Sequence, residues 1–209
     1  MNIKLCLFVI TALIFSNLSA QKFKYGKVTA DLLKLTKCEI DSQAHAMVTY
    51  KSGKSEVLYF ESDGFNLVHN FKKQIKIFNN DVKGIGDIEI FFYSPKSGSG
   101  KVKLRAFKGK TYNLTDGKII ETKVNDDNIF ETQFNNYTKR VTVAMPNLQK
   151  NCVFEYEYEL ISDYYSNIND WEIQEIFPVL YNEFNIQTPE YYKYQINIVG
   201  GVVGVLTTI

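Results

Sequence analysis

Apolar and polar residues alternate through most of the chain after residue 45, and alternation with period two is the signature of strands with one buried face. The runs that carry it are Ala46–Lys51, Val57–Phe60, Val68–Phe78, Asp87–Tyr93, Val102–Tyr112, Lys118–Val124, Lys139–Met145, Val153–Ile161, Glu172–Phe177, Tyr181–Thr188 and Tyr192–Val199. The four prolines, Pro95, Pro146, Pro178 and Pro189, fall between these runs or at their ends, where no ladder hydrogen bond is lost. Asp116-Gly117 between two runs is a hairpin signal, because both turn positions need positive φ. One helix stands before the strands. Thr29 can cap it, Asp31 suits its positive end, and Leu32, Leu33 and Leu35 give it an apolar face. The expected fold is mainly β: an antiparallel β-sandwich with one short N-terminal helix.

The stretch CVFEYEYELIS at 152–162 places Glu155, Glu157 and Glu159 on one side of a strand, with Phe154, Tyr156 and Tyr158 on the other. If Asn147–Lys150 turns the chain, the strand folds back on Lys139–Met145. The expected register sets Val143 against Phe154, Val141 against Tyr156 and Arg140 against Glu157. Neighbouring glutamates would lie about 7 Å apart, inside the spacing of inverting glycosidases. They would point the same way, however, whereas such carboxylates flank a scissile bond from opposite sides. A calcium site would need converging loop oxygens. The expected role of the acidic row is a solvated strand face.

Composition changes the picture at the two ends. Residues 1–20, MNIKLCLFVITALIFSNLSA, place Lys4 before an apolar run and close on Ser-Ala, the layout of a cleaved secretory signal. The run is shorter than the roughly 20 apolar residues of a membrane span, so no span is expected once it is removed. Export to the periplasm or outside the cell is the expected localisation. Without Lys4, 23 basic side chains face 23 acidic ones. No net charge then draws the chain to nucleic acid or anionic lipid. Residues 21–195 fit one domain. The tail, 196–209, is apolar and contains glycine, and reads as an apolar edge strand or as the end of a truncated chain. Cys38 and Cys152 remain; they either pair or sit as two small buried thiols, and buried thiols are the favoured reading.

Little else suggests reaction chemistry. His45 and His69 form no motif with either cysteine, and the one conceivable pair, Cys38 with His45, lacks an orienting third group. No zinc-spaced cysteines, metalloprotease helix or aspartate-rich calcium loop is present, so no metal or cofactor is expected. The last third is rich in aromatics. Trp171, Tyr181, Tyr191 and Tyr192 are the candidate ligand platform, since exposed flat rings can stack on a glycan or a peptide. Core packing is the competing use of the same rings.

Several stretches resemble a known family. Tyr25-Gly-Lys-Val28 with the leucine helix, Ala44-His-Ala-Met-Val48, Lys76-Ile-Phe78 and Thr111–Ile119 are similar to the start and centre of the domain of unknown function 3857. Ala144-Met-Pro-Asn147, Glu155-Tyr-Glu-Tyr158, Asp170-Trp171, Phe177-Pro-Val-Leu180 and Pro189-Glu-Tyr-Tyr192 follow in that family's order. The resemblance implies an exported β-sandwich that precedes a transglutaminase-like core in bacterial proteins and has no assigned activity of its own. The Cys, His and Asp of such a core have no counterpart here. The expected function is therefore a non-catalytic binding or scaffold module for a peptide, glycan or protein domain. The alternative is a truncated enzyme fragment.

Overall fold

The computed structural model describes residues 23–79, 83–98, 100–166 and 168–195. The expected signal segment, the whole apolar tail 196–209 and half of the expected strand Tyr192–Val199 lie outside the described residues; the described half, 192–195, is not a strand. The fold is mainly β. Helix α1 is Ala30–Lys34, and the strands are β1 Ala46–Phe60, β2 Gly64–Ile77, β3 Asp87–Tyr93, β4 Val102–Thr115, β5 Lys118–Lys123, β6 Ile129–Gln133, β7 Thr138–Ala144, β8 Val153–Ser162 and β9 Asn182–Gln187. They form a six-stranded sheet, ordered β5-β4-β8-β2-β1-β9, and a three-stranded sheet, ordered β3-β7-β6.

Local chemistry places the elements where the pattern put them. The Thr29 side chain accepts the Leu32 amide at 3.2 Å, and Leu32 and Leu33 are buried beneath α1. Asp116 and Gly117 both have positive φ in the β4–β5 turn. The runs Ala46–Lys51 and Val57–Phe60 are one long strand, which turns at Phe60–Gly64 and pairs with β2 along its length. Ile129–Gln133, not expected as a strand, pairs with β7.

Three expectations are corrected. First, the hairpin between Lys139–Met145 and Val153–Ile161 does not form. Strand β7 lies between β3 and β6, so Val141 pairs with Ile90 and Glu131, and Arg140 with Phe91 and Thr132. Strand β8 lies between β2 and β4 in the other sheet, with Phe154 opposite Ile75 and Thr111. The connection, with Asn147 and Asn151 at positive φ, carries the chain from one sheet to the other instead of reversing it. Secondly, the six-stranded sheet is mixed and not purely antiparallel, because β9 runs parallel to β1. Thirdly, Glu172–Phe177 is not a strand; its contacts are made by side chains.

The two sheets share one buried cluster. Ala46, Val48, Ile75, Ile77, Phe154, Tyr156 and Leu160 from the larger sheet meet Ile88, Ile90, Phe92, Val141 and Val143 from the smaller. On the outer face of the larger sheet, α1 and Cys38 pack against Met47, Phe78, Tyr112 and Val153. Lys76 is fully buried there. Its ammonium donates to the carbonyls of Leu33 and Asn151 at 2.7 and 2.6 Å, tying α1 to the sheet-to-sheet connection. Burial pushes its pKa down to about 8.

The sheets differ in length. Strands β1 and β2 have 15 and 14 residues, β3 and β7 only seven. At about 3.3 Å per residue, the smaller sheet can cover only half of the larger one's inner face. The chain between β8 and β9 covers part of the remainder. Trp171 lies against Gly53, where an added Cβ would come within 2.5 Å of its ring, and stacks on Phe184 at 4.8 Å between centroids. Lys51 and Lys73, directly opposite each other on β1 and β2, both reach Glu175, at 2.7 and 2.5 Å. Lys51 also donates to the Glu172 carbonyl at 2.8 Å. Burial opposes ionisation of Glu175, but the hydrogen bonds from both lysines hold its carboxyl below the ordinary range.

Glu175→Ala leaves two mostly buried ammonium groups facing each other. It is expected to destabilise the fold by about 3 kcal/mol in urea titration and to open residues 164–181 to limited proteolysis. A second expectation concerns His69. Burial lowers its pKa to about 4 from an ordinary 6.5, so the folded protein holds the ring neutral while the unfolded chain protonates it. Stability is therefore complete above pH 6.5 and falls as pH drops towards 4, by on the order of 2–3 kcal/mol. Glu175 and Glu183, both held low, add their own losses only below about pH 4.5. Urea midpoints at pH 6.5, 5.5 and 4.5 should decline in the parent chain and stay level in His69→Gln.

Candidate functional site

The acidic row separates into two kinds of carboxylate. Glu155 is buried: it accepts from the Tyr112 hydroxyl at 2.6 Å, Gln74 Nε2 at 2.9 Å and the Gly26 amide at 2.9 Å. The N-terminal turn and α1 cover this end of the outer face, so Glu155 does not face water as expected. Burial and the bond to Glu155 push the Tyr112 pKa up. With three donors and no solvent, Glu155 holds its neighbours in place and has no room for a substrate. Glu157 and Glu159 remain partly exposed. Glu157 faces Lys72 and Lys108 from the flanking strands, and Glu159 faces Arg105. Strand neighbours thus neutralise the row, and its carboxylates do not converge.

The thiols and imidazoles also stay apart. Cys38 and Cys152 are free and buried, in separate clusters. Burial raises the Cys152 pKa, the reverse of what a nucleophilic thiol needs. His45 is exposed while Cys38 is not, so they form no pair. His69 Nδ1 lies 2.9 Å from Ser55 Oγ, but Ser55 is buried and offers no reachable nucleophile. Among the described residues, no group of three or more His, Cys, Asp or Glu side chains could hold a metal ion. No helix among them is long and apolar enough to cross a membrane.

The four aromatic candidates fall in three places. Trp171 is committed to packing: besides Gly53 and Phe184, its Nε1 donates to Asn182 Oδ1 at 2.8 Å, and Lys51 Nζ lies 4.6 Å from its ring centroid. Tyr181 stacks on Tyr50 at 4.9 Å and lines a cleft of about 370 Å³ with Phe23, Lys24, Tyr25 and Lys72. Its hydroxyl donates to Glu183 at 2.5 Å, which with burial raises its pKa to about 12.

Tyr191 and Tyr192 join the third group, together with rings that sequence reasoning did not single out. Phe65 is its centre, with centroids of Tyr59, Tyr165, Tyr191 and Tyr192 at 5.2, 5.9, 6.1 and 5.7 Å. Three distant pieces of chain meet here: the tip of the β1–β2 hairpin, the segment after β8 and the segment after β9. Tyr59 is 65 % exposed and Tyr191 68 %. A hairpin ending in Tyr59-Phe60 and resuming at Phe65 was the one available signal, since aromatic rings beside a solvent-facing turn have little core to enter. Exposed, mutually buttressed tyrosines lose little freedom on binding, and each offers both a flat face and a hydroxyl.

No curated protein matches the chain. One similar solved structure is a Parabacteroides distasonis protein provisionally described as a protease, with 17 % identity and a TM-score of 0.51. The match covers 70 % of this chain but only 29 % of that one, and at this identity it speaks for shared fold alone. A family model, that of the domain of unknown function DUF3857, matches residues 66–208, which include eight of the nine strands in whole or in large part. The chain belongs to the DUF3857 family.

Proposed function

We propose that the chain is a non-catalytic binding or scaffold module, built as a β-sandwich and working outside the cytoplasm, which holds a peptide or glycan by ring stacking. The observation that carries this reading is the five-ring cluster around Phe65, with Tyr59 and Tyr191 about two-thirds exposed. Supporting it, the buried carboxylate is saturated with donors, and the thiols and imidazoles lack the partners nucleophilic chemistry requires. The shared core of the two sheets supports the layered architecture. The leader-like residues 1–20 support export.

A second reading has one observation in its favour. The solved relative is more than three times as long as the stretch matched, so this domain serves as one part of a longer protein there. The present chain would then be the recognition part of a transglutaminase-like or protease-like enzyme whose core lies elsewhere. Sequencing the gene past codon 209 tests it: a continuing frame that encodes a core with Cys, His and Asp supports it, and a stop codon followed by unrelated sequence removes it.

The binding module is tested on glycan and peptide arrays with protein lacking residues 1–20. Binding is expected, and the double variant Tyr59→Ala/Tyr191→Ala should weaken it at least about tenfold while leaving the thermal midpoint nearly unchanged, since both rings are mostly exposed. Silence on both arrays, or equal binding by the double variant, overturns the proposal. Any hydrolysis of an array ligand that disappears in Glu157→Gln would instead mark an enzyme.

A further inference from the structure

The mismatch in strand length leaves a second feature that the aromatic surface does not use. Beyond the edge of the three-stranded sheet, the inner face of the larger sheet is only partly covered, and a cavity of about 470 Å³ remains. Leu67 and His69 of β2, Val102 of β4 and Leu160 of β8 form its inner side. Tyr93, the last residue of β3, and Tyr164 form an aromatic wall, with centroids 5.7 Å apart in an edge-on arrangement. Small polar groups, including Ser162 and Asn169, complete it.

Its chemistry is specific in what it omits. Among the described residues, no Lys, Arg, Asp or Glu side chain lines the cavity. Its one readily titratable group, His69, is held uncharged at neutral pH by burial. Nδ1 of that ring is committed to Ser55, which leaves Nε2 as its remaining polar atom. A charged guest would lose part of its hydration in this half-open cavity and find no opposite charge among the described lining residues. An apolar guest would meet three aliphatic side chains and two tyrosine rings. The volume is in the range of small-molecule sites, about 300–1,000 Å³.

We propose that this cavity between the two sheets is a binding site for a small, uncharged, largely apolar molecule of two or three rings, with one polar atom directed at His69. The residues that line it differ from those of the adjoining Tyr59–Tyr191 surface, and the proposal does not depend on that surface's function. The sequence supplies a reporter: Trp171, the only tryptophan, lies 6.5 Å from the His69 ring between centroids.

N-phenyl-1-naphthylamine, neutral and of suitable size, is the probe, and energy transfer from Trp171 is the signal. Saturable uptake of one probe per chain is expected, with loss of tryptophan emission. The sulfonated analogue 1-anilinonaphthalene-8-sulfonate should bind at least tenfold more weakly. Val102→Phe, which fills the cavity from the end of a strand, should weaken uptake at least tenfold. Ile176→Ser, which removes an almost fully exposed apolar side chain that does not line the cavity, should leave it unchanged. Should Val102→Phe fail to fold, amide chemical shifts of the unmodified chain decide: probe-induced changes centred on Leu67, His69, Leu160 and Tyr164 support the site. Absence of saturation, equal affinity for the charged analogue, full uptake by folded Val102→Phe, loss of uptake in Ile176→Ser, or shifts centred elsewhere each overturn it.

Discussion

Two lysines placed opposite each other on adjacent strands are the constraint around which half of this molecule is arranged. Lys51 and Lys73 point to the inner face of the larger sheet, where like charges repel and water is scarce. Burial lowers the pKa of Lys73, a sign of what an unpaired ammonium would cost there. Glu175 answers both charges, and the Glu172 carbonyl takes a further bond from Lys51. The carboxylate therefore decides where an otherwise irregular connection must lie. Trp171, four residues earlier, is then set on Gly53, a position only a residue without Cβ can offer. The connection covers the sheet without becoming a strand, and the gap at its margin is a consequence of covering a long sheet with a short one and a loop.

The outer face uses the same device with opposite sign. Glu155 is a buried carboxyl group that accepts from three neutral donors, Tyr112, Gln74 and the Gly26 amide. A lysine in that place would bring a charge pair; neutral donors bring orientation. They bind β8 to β2 and β4 and hold the N-terminal turn over the sheet. Both faces of the start of β8 are consequently buried, which is why Val153, Phe154, Glu155 and Tyr156 are inaccessible in succession although the sequence alternates. The alternation records which face each residue points to, and both faces are occupied.

That distinction marks how much was legible in the sequence. The positions of the strands were legible because period two is local: β3 has the predicted bounds, and β5, β7, β8 and β9 are within a residue or so. The Asp116-Gly117 turn and the Thr29 cap were legible for the same reason, since each depends on a few adjacent residues. Partners were not. Arg140 fits opposite Glu157 as well on paper as it fits opposite Phe91, because apolar alternation is common to both candidate neighbours and carries no address. The eight residues between β7 and β8 are enough to cross between layers, and composition alone does not separate a crossing from a turn. Nor could the pattern show that Glu172–Phe177 would be fixed by side chains, or that Glu155 would be roofed by residues more than a hundred positions earlier.

The aromatic residues show the limit most clearly. Trp171, Tyr181, Tyr191 and Tyr192 look alike as a set in the sequence, yet backbone neighbours give each a different task. Gly53 makes Trp171 a packing residue, and Tyr50 and Glu183 hold Tyr181 at a cleft. Only Tyr191 and Tyr192 meet rings from the far end of the β1–β2 hairpin. The hairpin tip is where a long sheet outruns its cover, so rings there have no layer to enter and pack on one another instead. The cavity beside His69 has the same origin, since it too lies where the shorter sheet ends. Both candidate binding features thus follow from a single geometric fact, the unequal length of the strands, and a shorter β1–β2 pair would remove the exposed ring cluster and the cavity together.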